Sequence, residues 1–315
     1  MILVLGCHGQ LGRALERNIG PSSEHVFLNR NSTNYCGDIT NTRGIADTLM
    51  ALKPEVIINA AAHTDVDGAE DKPEVAMAVN GYAVSVIAQI AAKLGAIVVH
   101  YSSDYVFNGN GSHSWKETDH CSPLSVYGKS KLLGEEAIRT SGAKHFILRT
   151  SWIYSADGQN FLTTVLKRAE IYNSLQVVSD QWGTPTHVDY VAETTIDLIN
   201  RSRPGFGGVN RVIPEWGIYH CTPSGWTTRF DFAQFVISTA KSYGAATQCQ
   251  SILATSSAEY ASKAARPANS RLSNVKLQST LGKSPPNWRD QVIETVYRAI
   301  AHRENVVFDK KTQRQ

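Results

Sequence analysis

"ILVLGCHGQLGRALERNI", residues 2–19, decides how the rest of the chain is read. Four apolar residues, Ile2 to Leu5, read as a short buried strand. The next seven, "GCHGQLG", place Gly6, Gly9 and Gly12 three apart. Apolar residues then recur at helical spacing as far as Ile19. A strand, a glycine turn and a helix bring backbone close to a pyrophosphate, and the helix offers it free N–H groups and a positive dipole end. The pattern is GxxGxxG rather than the commoner GxGxxG, and glycines at such a turn also serve packing. Its place in the first βα turn of an alternating chain carries the reading of dinucleotide binding.

The alternation continues outward from this turn. "HVFLN" (25–29), "EVIINAAA" (55–62), "AIVVHYSS" (96–103) and "KHFILRTSW" (144–152) read as further strands. Between them, "NTRGIADTLMALK" (41–53), "PEVAMAVNGYAVSVIAQIAAKLG" (73–95) and "SVYGKSKLLGEEAIRT" (125–140) read as helices,. Strands separated by helices imply βαβ units with right-handed crossovers. The expected fold class is therefore α/β, a Rossmann-like doubly wound parallel sheet. After about residue 150 the alternation loosens into turn-rich pieces such as "SDQWGTPTH" (179–187), "RSRPGFGG" (201–208) and "KAARPANSRLS" (263–273). The expected division is residues 1–150 for the dinucleotide-binding core, with later segments returning to it, and 151–310 for a smaller, mixed substrate lobe.

Bulk properties narrow the function classes. The chain has 315 residues, 42% hydrophobic and 19% charged, with a net charge of +3. That is an ordinary folded composition with no strong electrostatic claim on nucleic acid or membrane. Five cysteines without a CxxC pair point away from a disulfide framework and towards a reducing cytoplasm,. No cysteine–histidine spacing reads as a zinc site. "MILVLGCHG" has no basic leader, and no apolar run is expected to reach the roughly 20 residues of a membrane helix.

At the end of the second strand, many NAD-binding folds carry an acid for the ribose 2′-OH. Here Asn29 is followed by Arg30. Asn can still hydrogen-bond a hydroxyl, and Arg can pair with a 2′-phosphate, which leans towards NADPH. The plain alternative is a solvated surface arginine.

"YGKSK" places Tyr127 and Lys131 four apart on one helix face,. An ammonium beside a phenol is expected to lower its pKa towards useful proton transfer. "SSDY" (102–105) leaves the fourth strand at the same sheet edge, so the Ser103 hydroxyl could bond a substrate carbonyl while Tyr127 protonates it. Ser103, Tyr127 and Lys131 together suit carbonyl reduction. No metal site is predicted. Asp65-x-Asp67 lacks the remaining ligands of a calcium loop.

These features resemble the extended short-chain dehydrogenase/reductases, and within them the dTDP-4-dehydrorhamnose reductase family. The resemblance covers about residues 1–300. Its carriers are "GCHGQLG", "STNYCGDI", "VIINAAAHTDVDGAE", "VVHYSSDYVFNGNG", "PLSVYGKSKLLGE", "RTSWIY", "DQWGTPT" and "RPANSRL". It implies a cytoplasmic NAD(P)H-dependent oxidoreductase of cell-surface polysaccharide biosynthesis. The implied substrate is a nucleotide sugar, with NADPH as cofactor and NADH possible. A homodimer is among the implied partners.

By position, the resemblance puts Gly9, Gln10 and Leu11 at the pyrophosphate, with Gly6 and Gly12 framing the turn. Asn29 and Arg30 face the adenosine ribose, and Asp38 and Ile39 the adenine. Ala62, His63 and Thr64 line the cofactor. Lys131 holds the nicotinamide ribose and Tyr127 is the acid. Ser103 and Asp104 touch the sugar, and Trp152 packs against it. Arg266, Asn269 and Arg271 lie near the nucleotide diphosphate. The family more often has Thr at Ser103 and commonly an acid at Asn29. Some members dimerise around a magnesium held by glutamates; the corresponding first-helix position is Ala14 here, with Glu16 two residues away, so that metal is not expected. Two other readings stand beside this one: another nucleotide-sugar reductase or epimerase, and a non-catalytic subunit like the beta subunit of methionine adenosyltransferase.

Overall fold

A computed structural model describes residues 1–22, 24–202 and 213–312 of the chain. The first half alternates strictly. It runs β1 (Ile2–Leu5), α1 (Gln10–Ile19), β2 (His25–Leu28), α2 (Thr42–Leu52), β3 (Val56–Asn59), α3 (Val66–Asp71), α4 (Pro73–Met77), α5 (Ala83–Leu94), β4 (Ile97–Ser103), α6 (Val126–Thr140) and β5 (Lys144–Thr150). With the strand Gly217–His220 these form one six-stranded sheet. Its order is Gly217–His220, β5, β4, β3, β1, β2, and every pairing is parallel. A strand from beyond residue 200 thus returns to the core.

Side chains alternate across this sheet because successive residues of a strand face opposite sides. Ile2 and Val4 pack with Leu11 and Leu15 of α1 and with the helix Val188–Ser202. Leu3 and Leu5 pack with Ile45 and Leu49 of α2 and Ile87 of α5. Strand order reverses between β1 and β3, which is where ligands enter folds of this kind.

A second core lies outside the sheet. Tyr154, Leu162, Leu166, Phe232, Val236, Trp288 and Val292 are buried together. Short strand pairs accompany it: Ser174–Val178 with Ser251–Thr255, Trp182–Gly183 with Thr227–Thr228, and Ile153–Tyr154 with Thr186–His187.

Two expectations need correction. The stretch 73–95 is not one uniform α-helix, since residues Ala78–Tyr82 form a π-helical turn between α4 and α5. That whole segment, Pro73–Leu94, is also long and apolar enough by composition to cross a membrane, with a mean hydropathy of 1.6 over its best window. Val84, Ile87, Ala88 and Ala91 lie in the core under the sheet and 56% of the window is buried, while Val75 and Tyr82 are exposed. The expected turn "RSRPGFGG" lies, from residue 203 onward, outside the described residues.

Candidate active site

The glycine turn is built by exclusion of side chains. Gly6 has φ +81°, and a Cβ there would sit 2.5 Å from the Ala61 amide nitrogen, on the loop after β3. A Cβ on Gly12 would sit 2.2 Å from the Gly6 carbonyl. The two glycines therefore let β1, α1 and the β3 loop meet. Gly9 caps α1 without any side-chain hydrogen bond, so the N–H groups of the first turn are left for an anion,.

Gln10 and Leu11 take part differently from the expectation. The Leu11 side chain is buried in the core, and only its backbone stands at the helix end. The Gln10 amide is engaged with the second lobe. Its Oε1 accepts from Ser155 Oγ at 2.8 Å and Asn160 Nδ2 at 2.9 Å, and its Nε2 donates to the Gln159 carbonyl. Gln10 thus fastens the glycine turn to the other lobe, leaving its backbone N–H for a phosphate.

A cleft of about 280 Å³ opens beside Gly6 and Gly9, walled by Asn29, Arg30, Asp38, Ile39 and Ala62. Asn29 is locked, its Oδ1 accepting from the Asn31 N–H and its Nδ2 lying 3.3 Å from His8 Nε2. Asp38 Oδ1 accepts from the Thr40 N–H and hydroxyl, which shapes the turn. Ile39 is a buried apolar wall and Arg30 stands exposed on the rim. His63 is held by both its backbone groups: its N–H donates to Asn80 Oδ1 and its carbonyl accepts from Asn80 Nδ2. Ala62 lines the cleft, and Thr64, two residues on, lines a second cavity between the lobes.

The reacting groups meet where β4 ends. A 3₁₀ turn, Asp104–Val106, follows Ser103. α6 starts at Val126, capped by Ser125 Oγ on the Gly128 N–H and by Glu70 Oε1 on the Val126 N–H. Gly128 allows close contact, since a Cβ there would lie 2.3 Å from the Tyr105 carbonyl. Tyr127 consequently packs edge-on to Tyr105 at 5.4 Å, with Ser103 close enough to influence its phenol. Ser103 Oγ donates to Asp104 Oδ1 at 2.8 Å.

The electrostatics differ from the expectation of a lowered phenol. Burial, seconded by the Asp104 charge, pushes the Tyr127 phenol up, and nearby Ser103 only partly opposes this,. Desolvation sets the direction, and the phenol is held protonated, as a proton donor must be. Burial pushes Lys131 down to about 8, opposed by Glu135 one turn further along α6. It pushes Asp104 up to about 6, opposed by nearby Ser270 and by the Ser103 hydrogen bond.

Trp152 has the left-handed φ of 46°, uncommon for a bulky residue and a mark of a site whose surroundings enforce it,. Gly183 leaves room for its ring, as a Cβ there would lie 2.6 Å from ring carbon Cε2. The Arg229 guanidinium lies 3.8 Å above that ring. Of the three residues expected at the diphosphate, Arg266 lines the interlobe cavity and pairs with Asp67 at 2.6 Å. Arg271 stacks on Trp182 and Trp226 instead, with its Nε on Asn269 Oδ1. Asn269 is buried, its amide donating to the His113 carbonyl, so it orients Arg271 rather than facing a ligand. Asn80 and Arg229 enter the site unannounced by any motif, and Gly128 stands inside "YGKSK", a motif read for its tyrosine and lysine. Asn80, an amide in a largely apolar helical stretch, left a sequence signal.

A glycine turn at the switch point, with serine, tyrosine and lysine converging at the neighbouring strand end, is the arrangement of the extended short-chain dehydrogenase/reductases. The chain belongs to the RmlD substrate binding domain family, whose model matches residues 1–300. It is 42% identical over 288 residues to the dTDP-4-dehydrorhamnose reductase of Salmonella typhimurium LT2, covering 91% of this chain and 94% of that one. The Escherichia coli K12 dTDP-4-dehydrorhamnose reductase is 40% identical over 290 residues, with 91% and 94% covered. The structure of dTDP-4-dehydrorhamnose reductase from Bacillus anthracis str. Ames in complex with NADP superposes with a TM-score of 0.84 at 28% identity, covering 94% of this chain and 98% of that one.

Proposed function

We propose that this chain reduces the C4 keto group of dTDP-4-dehydro-L-rhamnose to give dTDP-L-rhamnose, as a cytoplasmic enzyme with NADPH as reductant and NADH as an alternative. The observation that carries this is the buried Tyr127 phenol, packed on Tyr105 beside Ser103 at the end of β4, on the edge where the glycine turn opens. The similarity to named reductases supports the substrate.

The residues present fit the cofactor. The uncapped first turn of α1 suits its pyrophosphate, and the Gly6–Gly12 contacts keep that approach clear of side chains,. Arg30 on the cleft rim suits a 2′-phosphate,. Bound there, the nicotinamide supplies the hydride. Ser103 turns its hydroxyl proton from Asp104 to the substrate carbonyl and fixes its orientation. Tyr127 gives its proton to the C4 oxygen as negative charge develops there. Lys131, held near Tyr127 on the same helix face, steadies the phenolate left behind and meets the ribose. Trp152 packs against the sugar, with the interlobe arginines towards the diphosphate.

The direct test is NADPH consumption with freshly prepared dTDP-4-dehydrorhamnose, with the product checked for a C4 hydroxyl. Oxidation of NADPH dependent on that sugar is expected. A protein that binds NADPH and dTDP yet leaves the keto sugar unreduced would overturn the assignment.

A further inference from the structure

The interlobe cavity, about 500 Å³, is lined by a partly buried cation, Arg229, that makes no ion pair among the described residues. Arg229 opens the helix Arg229–Ser242, where Thr228 Oγ1 accepts the Asp231 N–H and the Arg229 N–H donates to the Gln181 carbonyl. Nothing in that sequence position marks it, since an arginine in a first helical turn is ordinarily solvated. Here the guanidinium lies 3.8 Å over the Trp152 ring centroid and 4.9 Å from that of Phe161. No ion pair reaches it among the described residues. Asp104 attracts it from a distance and Arg266 repels it, and burial pushes it down to about 10.

Of the other charges lining the cavity, Arg168 sits on the helix Phe161–Ile171, one turn or more from Phe161, and the rest are engaged. Arg266 is matched by Asp67, and Asp65 caps α3 through the Gly68 N–H. Arg271 faces its own tryptophan pair elsewhere. A desolvated cation without a carboxylate costs stability unless a ligand completes it. Stacking occupies the face of a guanidinium and leaves its edge of N–H donors for an anion in the plane. Arg229 remains partly accessible and lines the cavity.

We propose that Arg229 binds the diphosphate of the nucleotide-sugar substrate through its free edge while its face holds Trp152 against the sugar. This rests on the nucleotide-sugar reading above and makes Arg229, rather than Arg271, the companion of Arg266 in the diphosphate subsite. It also links recognition of the phosphates to the strained tryptophan, so that a sugar lacking them would meet a less ordered ring.

The test uses the NADPH-loaded enzyme and calorimetric titration with dTDP and with thymidine, which lacks the phosphates. Arg229→Met keeps the length and removes the charge. dTDP affinity should fall by about tenfold or more, the range for a charge-assisted hydrogen bond. Thymidine and NADPH affinities should stay within about twofold, and the unliganded melting temperature should not drop, because the buried charge is gone. Equal losses for dTDP and thymidine, or no loss of dTDP, would show that Arg229 only packs and would overturn the proposal. If the methionine variant melts below wild type, Arg229→Gln is read by the same two titrations. Wild-type enzyme that binds neither dTDP nor thymidine would overturn the nucleotide-sugar reading itself, and this proposal with it. Normal wild-type binding with an indifferent variant overturns only the role of Arg229.

Discussion

Two buried groups define the chemistry at the scale of single residues. Tyr127 is kept protonated by burial and the Asp104 charge, which suits a donor and makes its hydroxyl irreplaceable. Tyr127→Phe keeps the ring against Tyr105 and should retain NADPH affinity, while turnover falls by roughly 10²-fold or more. Steady-state rates beside an NADPH titration check this, and normal turnover would remove Tyr127 from the mechanism. Asp104 is pushed up to about 6 by burial, above its ordinary 3.8. Folding therefore favours its neutral form. The stability it contributes is full below about pH 4 and is lost as pH rises through 6. Asp104→Asn should accordingly melt close to wild type at pH 4 and above it at pH 7.5. A gap that does not change with pH would show that the carboxyl does not titrate on this scale.

At the scale of elements, the meeting of α6 with the π-helical turn decides where Tyr127 stands. π turns inside α-helices are frequent at functional sites, because the extra residue re-aims side chains. Here the turn carries Asn80, which bonds both backbone groups of His63 and donates to Ser130 Oγ on α6. Gly134 lets the helices touch, as a Cβ there would lie 2.2 Å from the Asn80 carbonyl. One amide thus joins the cofactor-lining loop to the catalytic helix. Asn80→Ala leaves these partners unsatisfied and should cost about 2–3 kcal/mol in urea unfolding. It should also lower kcat, through a displaced α6. A loss under 0.5 kcal/mol, about the size of a surface change, would mean that the junction is held by other contacts.

Over the whole molecule, the two lobes are tied across the site. Gln10 reaches Ser155, Gln159 and Asn160, Arg266 pairs with Asp67, and Lys263 pairs with Asp71. These ties should make the lobes unfold together. NADPH at about a hundredfold excess over its Kd should add about 2.7 kcal/mol. The tryptophan-fluorescence transition, weighted to Trp152, Trp182, Trp226 and Trp288 in the second lobe, should then shift by the same amount as the circular dichroism transition. A fluorescence transition that stays in place while circular dichroism moves would show independent lobes.

The sequence by itself determined the parts that are local in the chain. β1, the glycine turn and α1 occupy one continuous stretch, and Tyr127 and Lys131 share a helix face by spacing alone. The serine at the end of β4 reaches them because parallel strands put all their C-terminal ends on one edge. Tertiary structure decided the rest. Gln10 meets partners about 150 residues away and Arg266 meets Asp67 across 199, separations at which no spacing rule operates. The protonation of Tyr127 also went against local reasoning. A neighbouring lysine is visible in the sequence, but the burial that raises the phenol exists only in the folded chain,.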